Sequence, residues 1–169
     1  MTGVGHIALN TADLDRFRTF YDEVLGIRAS IVLRMDGGPG LRHAFLPVDD
    51  RTLLHVFETP GYDPAAQGFT DVIGARGRID HFGYVVGSAD EFEAVRRRLV
   101  AAGASDGAIT DFGPILSVYF EDPDGMPCEV TMIVDDFDPA VMPGDVVVEV
   151  GDPAWYDRLR NSVAPAAAV

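Results

Sequence analysis

The chain contains no lysine. Its cations are all arginine, and 13 of them face 27 acidic residues, giving a formal net charge of −14. Such a surface repels phosphate backbones and excludes general nucleic-acid binding. A single cysteine, Cys128, excludes an intrachain disulfide and fits a reducing cytoplasm. No window approaches the roughly 18 apolar residues of a membrane span. No basic patch followed by an apolar run reads as a signal peptide. Neither glycine-rich stretch cradles a phosphate: "DGGPG" (36–40) lacks the lysine and spacing of a P-loop, and "GARGRID" (74–80) leads into a strand rather than a helix. What is present is ordinary for a globular protein, with 47% apolar and 24% charged residues in 169 positions, enough to bury one sizeable core.

The informative feature is a repeat. At an offset of 75, His6 meets His81, Asp15 meets Asp90 and Phe17 meets Phe92. Each histidine opens a short strand, near 5–10 and 80–86. Each strand leads into a helical pattern: Leu14, Phe17, Tyr21, Val24 and Leu25 in the first half, and Phe92, Val95 and Leu99 in the second. Asp13 and Ser88 are the expected N-caps, and Gly26 and Gly103 the stops. Three strand-like segments follow each helix, near 28–35, 42–48 and 52–58, then near 107–111, 115–121 and 127–134. The order is β-α-β-β-β, twice, with a Gly-, Pro- and Ala-rich linker at 60–78. The expected class is α+β: two βαβββ modules, about 1–59 and 79–134, pairing into a curved mixed sheet, a half-barrel. This gives one domain over 1–134 and a C-terminal extension over 135–169. In the extension, an acidic turn, an apolar run (145–150) and a helix-like piece (153–162) precede a frayed end. Trp155 and Tyr156 read as packing residues.

The stretch "EDPDGMP" (121–127) is a turn signal and makes 115–121 and 127–134 a hairpin. A turn centred on Asp124 sets Tyr119 opposite Glu129, with Ser117 on the same side of the pleat. In the fourth strands, "TLLHVFE" corresponds to "MPCEVTM", so His55 falls on Glu129. The first strands thus offer His6 and His81, and the fourth strands His55 and Glu129. A lone strand histidine is usually a core residue with a satisfied ring. Here matched histidines and a glutamate occupy apolar strands, where an ionisable group is expensive unless paired or metal-bound. Two neutral imidazoles and a carboxylate with open positions favour non-haem Fe(II), and also accommodate Mn(II), Zn, Ni or Co. His43 has no repeat partner and reads as surface or pocket wall. Cys128, next to Glu129, points to the opposite face and reads as a small buried residue.

The segments "GHIALNTADLDRFRTFYDEVLG" (5–26), "IDHFGYVV" (79–86) and "YFEDPDGMPCEV" (119–130) resemble the vicinal oxygen chelate superfamily of glyoxalases, extradiol ring-cleavage dioxygenases, epimerases and antibiotic-resistance proteins. The resemblance covers about 1–134 and implies His6, His81 and Glu129 as metal ligands. It also implies a small-molecule substrate and, since relatives are often homodimers, a homodimer. In glyoxalase-like members the position of His55 is usually a glutamate. In extradiol dioxygenases it is a histidine near the O₂ site, and a tyrosine stands ten residues before the ligand glutamate, as Tyr119 does here. The implied activity is an extradiol-type dioxygenase acting on a catechol-like molecule, with His55 as acid/base and Tyr119 bonding a bound oxygen. One departure stands against it. Those dioxygenases carry a further histidine shortly before the tyrosine, and counting back gives Thr110. The alternatives are a glyoxalase- or epimerase-type lyase or isomerase, and a resistance protein that sequesters a small molecule.

Overall fold

A computed structural model describes residues 3–34, 42–59, 61–63, 79–111 and 115–133. The linker from 64 to 78, both glycine-rich stretches apart from Ile79 and Asp80, and the expected elements of the extension, with Trp155 and Tyr156, lie outside the described residues. The chain divides into two compact units. The first comprises residues 1–80 with 121–126, the second residues 81–120 with 127–169.

In the first unit, β1 (His6–Thr11) leads to α1 (Leu14–Phe20), which continues as a π-helical turn over Tyr21–Leu25. Then come β2 (Ile31–Arg34), β3 (Arg42–Pro47) and β4 (Leu53–Glu58). The second unit repeats the order with β5 (Phe82–Val86), α2 (Ala89–Ala101), β6 (Ile109–Asp111), β7 (Ile115–Glu121) and β8 (Pro127–Ile133). Each unit holds a four-stranded mixed sheet, ordered β1-β4-β3-β2 and β5-β8-β7-β6. First and fourth strands pair parallel, β1 with β4 and β5 with β8, because the helix between them carries the chain back across one face. This is the α+β pair of βαβββ modules expected from the repeat.

The helix ends form as their residues dictate. Asp13 accepts from the Asp15 and Arg16 backbone N–H groups at the start of α1. Ser88 accepts from Glu91 N–H at the start of α2, while the Glu91 carboxylate reaches back to Gly87 N–H. Gly26 (φ 77) and Gly103 (φ 70) take the left-handed conformation that ends each helical run. At Gly26 the N–H bonds Asp22 O, and Ile27 N–H bonds Tyr21 O at 2.8 Å, so these two carbonyls of the final turn are satisfied.

The strand alternation divides the first sheet into two unlike faces. Leu54 and Val56 of β4 lie opposite Leu46 and Ala44 of β3, all buried on the side that α1 covers with Leu14, Phe17 and Tyr21. Glu58 ties the helix start to this sheet. Its Oε1 accepts from Leu14 N–H, and both carboxylate oxygens take the Arg42 guanidinium, which holds Glu58 below its usual range. A second anchor is the turn over 121–126, which belongs to this unit. Asp124 accepts from Ala12 N–H and from Arg16, and Asp122 accepts from the Tyr21 hydroxyl. Asp122 also accepts from the Asp124 and Met126 N–H groups. Burial outweighs these bonds and pushes its carboxyl up to about 6.

Candidate active site

The ladders give the sequence repeat a geometric meaning. In the first unit Ala8 pairs with His55, and in the second Gly83 pairs with Glu129. His55 and Glu129 therefore hold the same register place in their sheets. Each stands opposite a small residue two positions after a histidine, His6 or His81. Residues two apart on a strand share a face, so each histidine meets its fourth-strand partner diagonally. The His6 and His55 ring centroids lie 6.2 Å apart, edge to face. His81 Nε2 lies 3.2 Å from Glu129 Oε2. A correction attaches to His81: it stands one residue ahead of β5, which begins at Phe82, rather than inside the strand.

On the first sheet, the face turned away from α1 carries a block of four rings. Phe45 pairs directly with His55, and His43 with Phe57. His55 stacks on Phe45 at 4.2 Å and contacts Phe57 at 4.1 Å between centroids. His43 lies flat on Phe57, with 6° between planes. The two imidazoles meet across the diagonal, His43 Nδ1 lying 2.7 Å from His55 Nε2. All four side chains are half-buried. Loss of water lowers the pKa of His55, and the adjacent His43 and His6 lower it further. His55 is therefore a neutral imidazole at pH 7, able to take a proton. His6 is exposed at the start of its edge strand.

The second sheet gathers small polar groups instead. Glu129 is buried, 9% exposed, and Gly83 leaves it room: a Cβ at that position would sit 3.5 Å from Oε2. The Tyr119 ring meets the His81 ring edge-on at 5.8 Å. Ser117 shares the Tyr119 face of β7, and Thr110 pairs with Ser117 across β6. Ser117 Oγ is buried with no hydrogen-bond partner among the described residues. At the hairpin tip Asp122 N–H bonds Met126 O, and β7 and β8 are neighbours in the sheet.

The sequence profile of the Glyoxalase/Bleomycin resistance protein/Dioxygenase superfamily matches residues 3–130. The chain belongs to this superfamily. A glyoxalase/bleomycin resistance protein/dioxygenase domain from Frankia sp. EAN1pec is similar at 23% identity, over 79% of this chain and 98% of that one, with a TM-score of 0.61. Lactoylglutathione lyase from Agrobacterium tumefaciens is similar at 24% identity, over 78% and 94%, with a TM-score of 0.52. The fosfomycin resistance protein FosX from Listeria monocytogenes, solved with Mn(II) and sulfate, is similar at 17% identity, over 78% and 93%, with a TM-score of 0.57. At these identities the likeness is one of fold. None of the curated proteins compared with the chain matches it.

Superfamily members are often enzymes, and divalent metals are common among them. The second unit fits such a cation by its donor chemistry. His81 Nε2 and Glu129 Oε2 stand 3.2 Å apart, within hydrogen-bonding distance, and an imidazole and a carboxylate are both donor types for such a cation. Among the described residues, no group of three or more His, Cys, Asp or Glu side chains is already gathered around a cation position. His43, expected as surface or pocket wall, is half-buried on the ring-bearing face. Its place there follows from the hairpin register across the Asp49 turn, where Asp49 accepts from the Arg51 and Thr52 N–H groups and Phe45 stands opposite His55. That register puts His43 on the same face as His55.

Proposed function

We propose that the protein is a metal-dependent oxidoreductase of the extradiol type, opening the ring of a catechol-like small molecule. The observation that carries this reading is His55, a neutral imidazole set among Phe45, Phe57 and His43. Flat apolar rings suit a flat aromatic substrate, and a half-buried neutral imidazole suits removal of a phenolic proton. In this reading His6, His81 and Glu129 hold a divalent metal, Fe(II) being favoured over Mn, Zn, Ni or Co. Such a metal supplies Lewis acidity toward the two vicinal oxygens and, as Fe(II), the redox chemistry that O₂ requires. His55 takes the proton from a substrate hydroxyl and returns it to the ring-opened product. Tyr119 donates its O–H to a substrate oxygen, and Ser117 Oγ, buried with no partner among the described residues, offers another polar contact. Thr110, at the place of the missing histidine, contributes a hydroxyl to that face.

We further propose that 1–134 is the catalytic domain, that 135–169 is an extension to it, and that the protein is a cytoplasmic homodimer. Among the described residues no helix is long and apolar enough to cross a membrane. Light scattering of the purified protein tests the dimer.

The decisive experiment is anaerobic loading with Fe(II), then a broad catechol panel with oxygen uptake recorded. Ring-fission absorbance with one O₂ consumed per substrate supports the reading, and its absence with iron bound overturns it. Turnover with Zn, Ni or Co and no oxygen consumption would instead assign a lyase or isomerase, in which His55 takes a proton from carbon. Substoichiometric metal with no affinity for it would assign a sequestering protein.

A further inference from the structure

We propose that His43 is the positioning residue for His55, accepting its Nε2–H and so making Nδ1 the working nitrogen. This rests on the proton-transfer role of His55 set out above, although the hydrogen bond itself does not. His43 Nδ1 and His55 Nε2 are 2.7 Å apart, so one carries a hydrogen and the other a lone pair. Both nitrogens are committed by this contact, which leaves Nδ1 as the one nitrogen of His55 able to exchange a proton with a substrate.

The polarity follows from what a base must do. When His55 holds a captured proton, both of its ring nitrogens carry hydrogens. Its Nε2–H can then only donate, and His43 Nδ1 must accept. If His43 donated instead, the proton of neutral His55 would already sit on Nδ1 and the ring could not act as a base there. An acceptor on Nε2–H also fixes the tautomer and the orientation of the ring, as a carboxylate or carbonyl does behind many working histidines. This support is not an accident of loose side chains. Phe57 lies flat beneath His43, and Phe45 and Phe57 pack against the His55 ring. Direct pairing of His43 with Phe57 and Phe45 with His55 then fixes the diagonal contact between the imidazoles.

Two substitutions separate the bond from the packing. His43→Phe keeps a ring on Phe57 and removes the acceptor. His43→Asn loses the ring but returns an acceptor oxygen at the distance of Nδ1 from the backbone. In the full-length chain without added metal, ¹⁵N spectroscopy of the imidazoles should show His55 protonated on Nε2, His43 unprotonated on Nδ1, and a scalar coupling between the two nitrogens. His43→Phe should leave His55 as a mixture of tautomers, and His43→Asn should restore the single one. In turnover, His43→Phe should lower kcat about 10- to 100-fold, the usual cost of losing the partner that orients a working imidazole, with KM within about threefold. His43→Asn should recover most of that loss. A reversed proton position, no internitrogen coupling, or equal kcat for the two variants would overturn the proposal. If the wild type turns over no substrate while the coupling is present, the functional reading fails and the His43–His55 bond stands.

Discussion

The two sheets carry the same ladder and put different chemistry at its centre. Ala8 faces His55 in one, and Gly83 faces Glu129 in the other. In the first, the fourth strand alternates half-buried and buried residues, and its open face is tiled with rings. In the second, Pro127, Cys128, Glu129 and Val130 are buried in succession, so the carboxylate sits among apolar neighbours with His81 at its edge. One frame has thus placed an imidazole in an aromatic setting and a carboxyl group in a shielded one. Shielding strengthens the attraction of a carboxylate for a cation, whereas it keeps an imidazole neutral.

The contrast can be broken in order of expected effect. Glu129→Gln should remove the anion and lower metal content and turnover by more than about 100-fold, beyond the range typical of an outer partner, as metal analysis and oxygen uptake would register. His55→Gln should cost about 100-fold or more in kcat, the range of general acid–base catalysis, while metal content stays at the wild-type level. A loss of metal in that variant would make His55 a ligand and erase the difference between the sheets. On the buried side, Leu54→Ala should cost about 2–5 kcal/mol in urea unfolding, since Leu54 is 1% exposed and packs where α1 covers the sheet. Asp122 sets a smaller, pH-dependent effect. Its carboxyl is raised from 3.8 to about 6 in the fold, so its favourable contribution is complete below about pH 4 and is lost as pH rises to about 6. Relative to Asp122→Asn, the wild type should lose roughly 2 kcal/mol across that window. Smallest is Gly83→Ala, which gives the second sheet the alanine of the first. A Cβ there meets Glu129 at an ordinary 3.5 Å, so stability should hold or rise by about 0.5 kcal/mol.

Much of this was legible in the residues because the repeat is written in side chains that local physics also requires. His6 opens β1 and His81 stands one residue ahead of β5, Asp13 and Ser88 cap, and Gly26 and Gly103 stop. These are local signals, and the structure places each where its own chemistry needs it. What the sequence concealed depends on contacts between distant segments. The π-helical turn at Tyr21–Leu25 has no periodic signature. The contacts of His43 left no local signal because they lie across a hairpin, with Phe57 opposite and His55 on the diagonal. No pattern links Tyr21 to Asp122, a hundred positions on, since a single hydroxyl–carboxylate contact leaves no trace in either neighbourhood.

That last contact has a consequence in time. Ala12, Arg16 and Tyr21 find partners in Asp122 and Asp124, so the first unit is completed by six residues from far along the chain. On a ribosome adding about 5–20 residues per second, residue 126 follows residue 80 by a few seconds. For that interval the Ala12 amide and the Arg16 guanidinium must wait for Asp124, and only the arrival of residues 121–126 finishes the first unit.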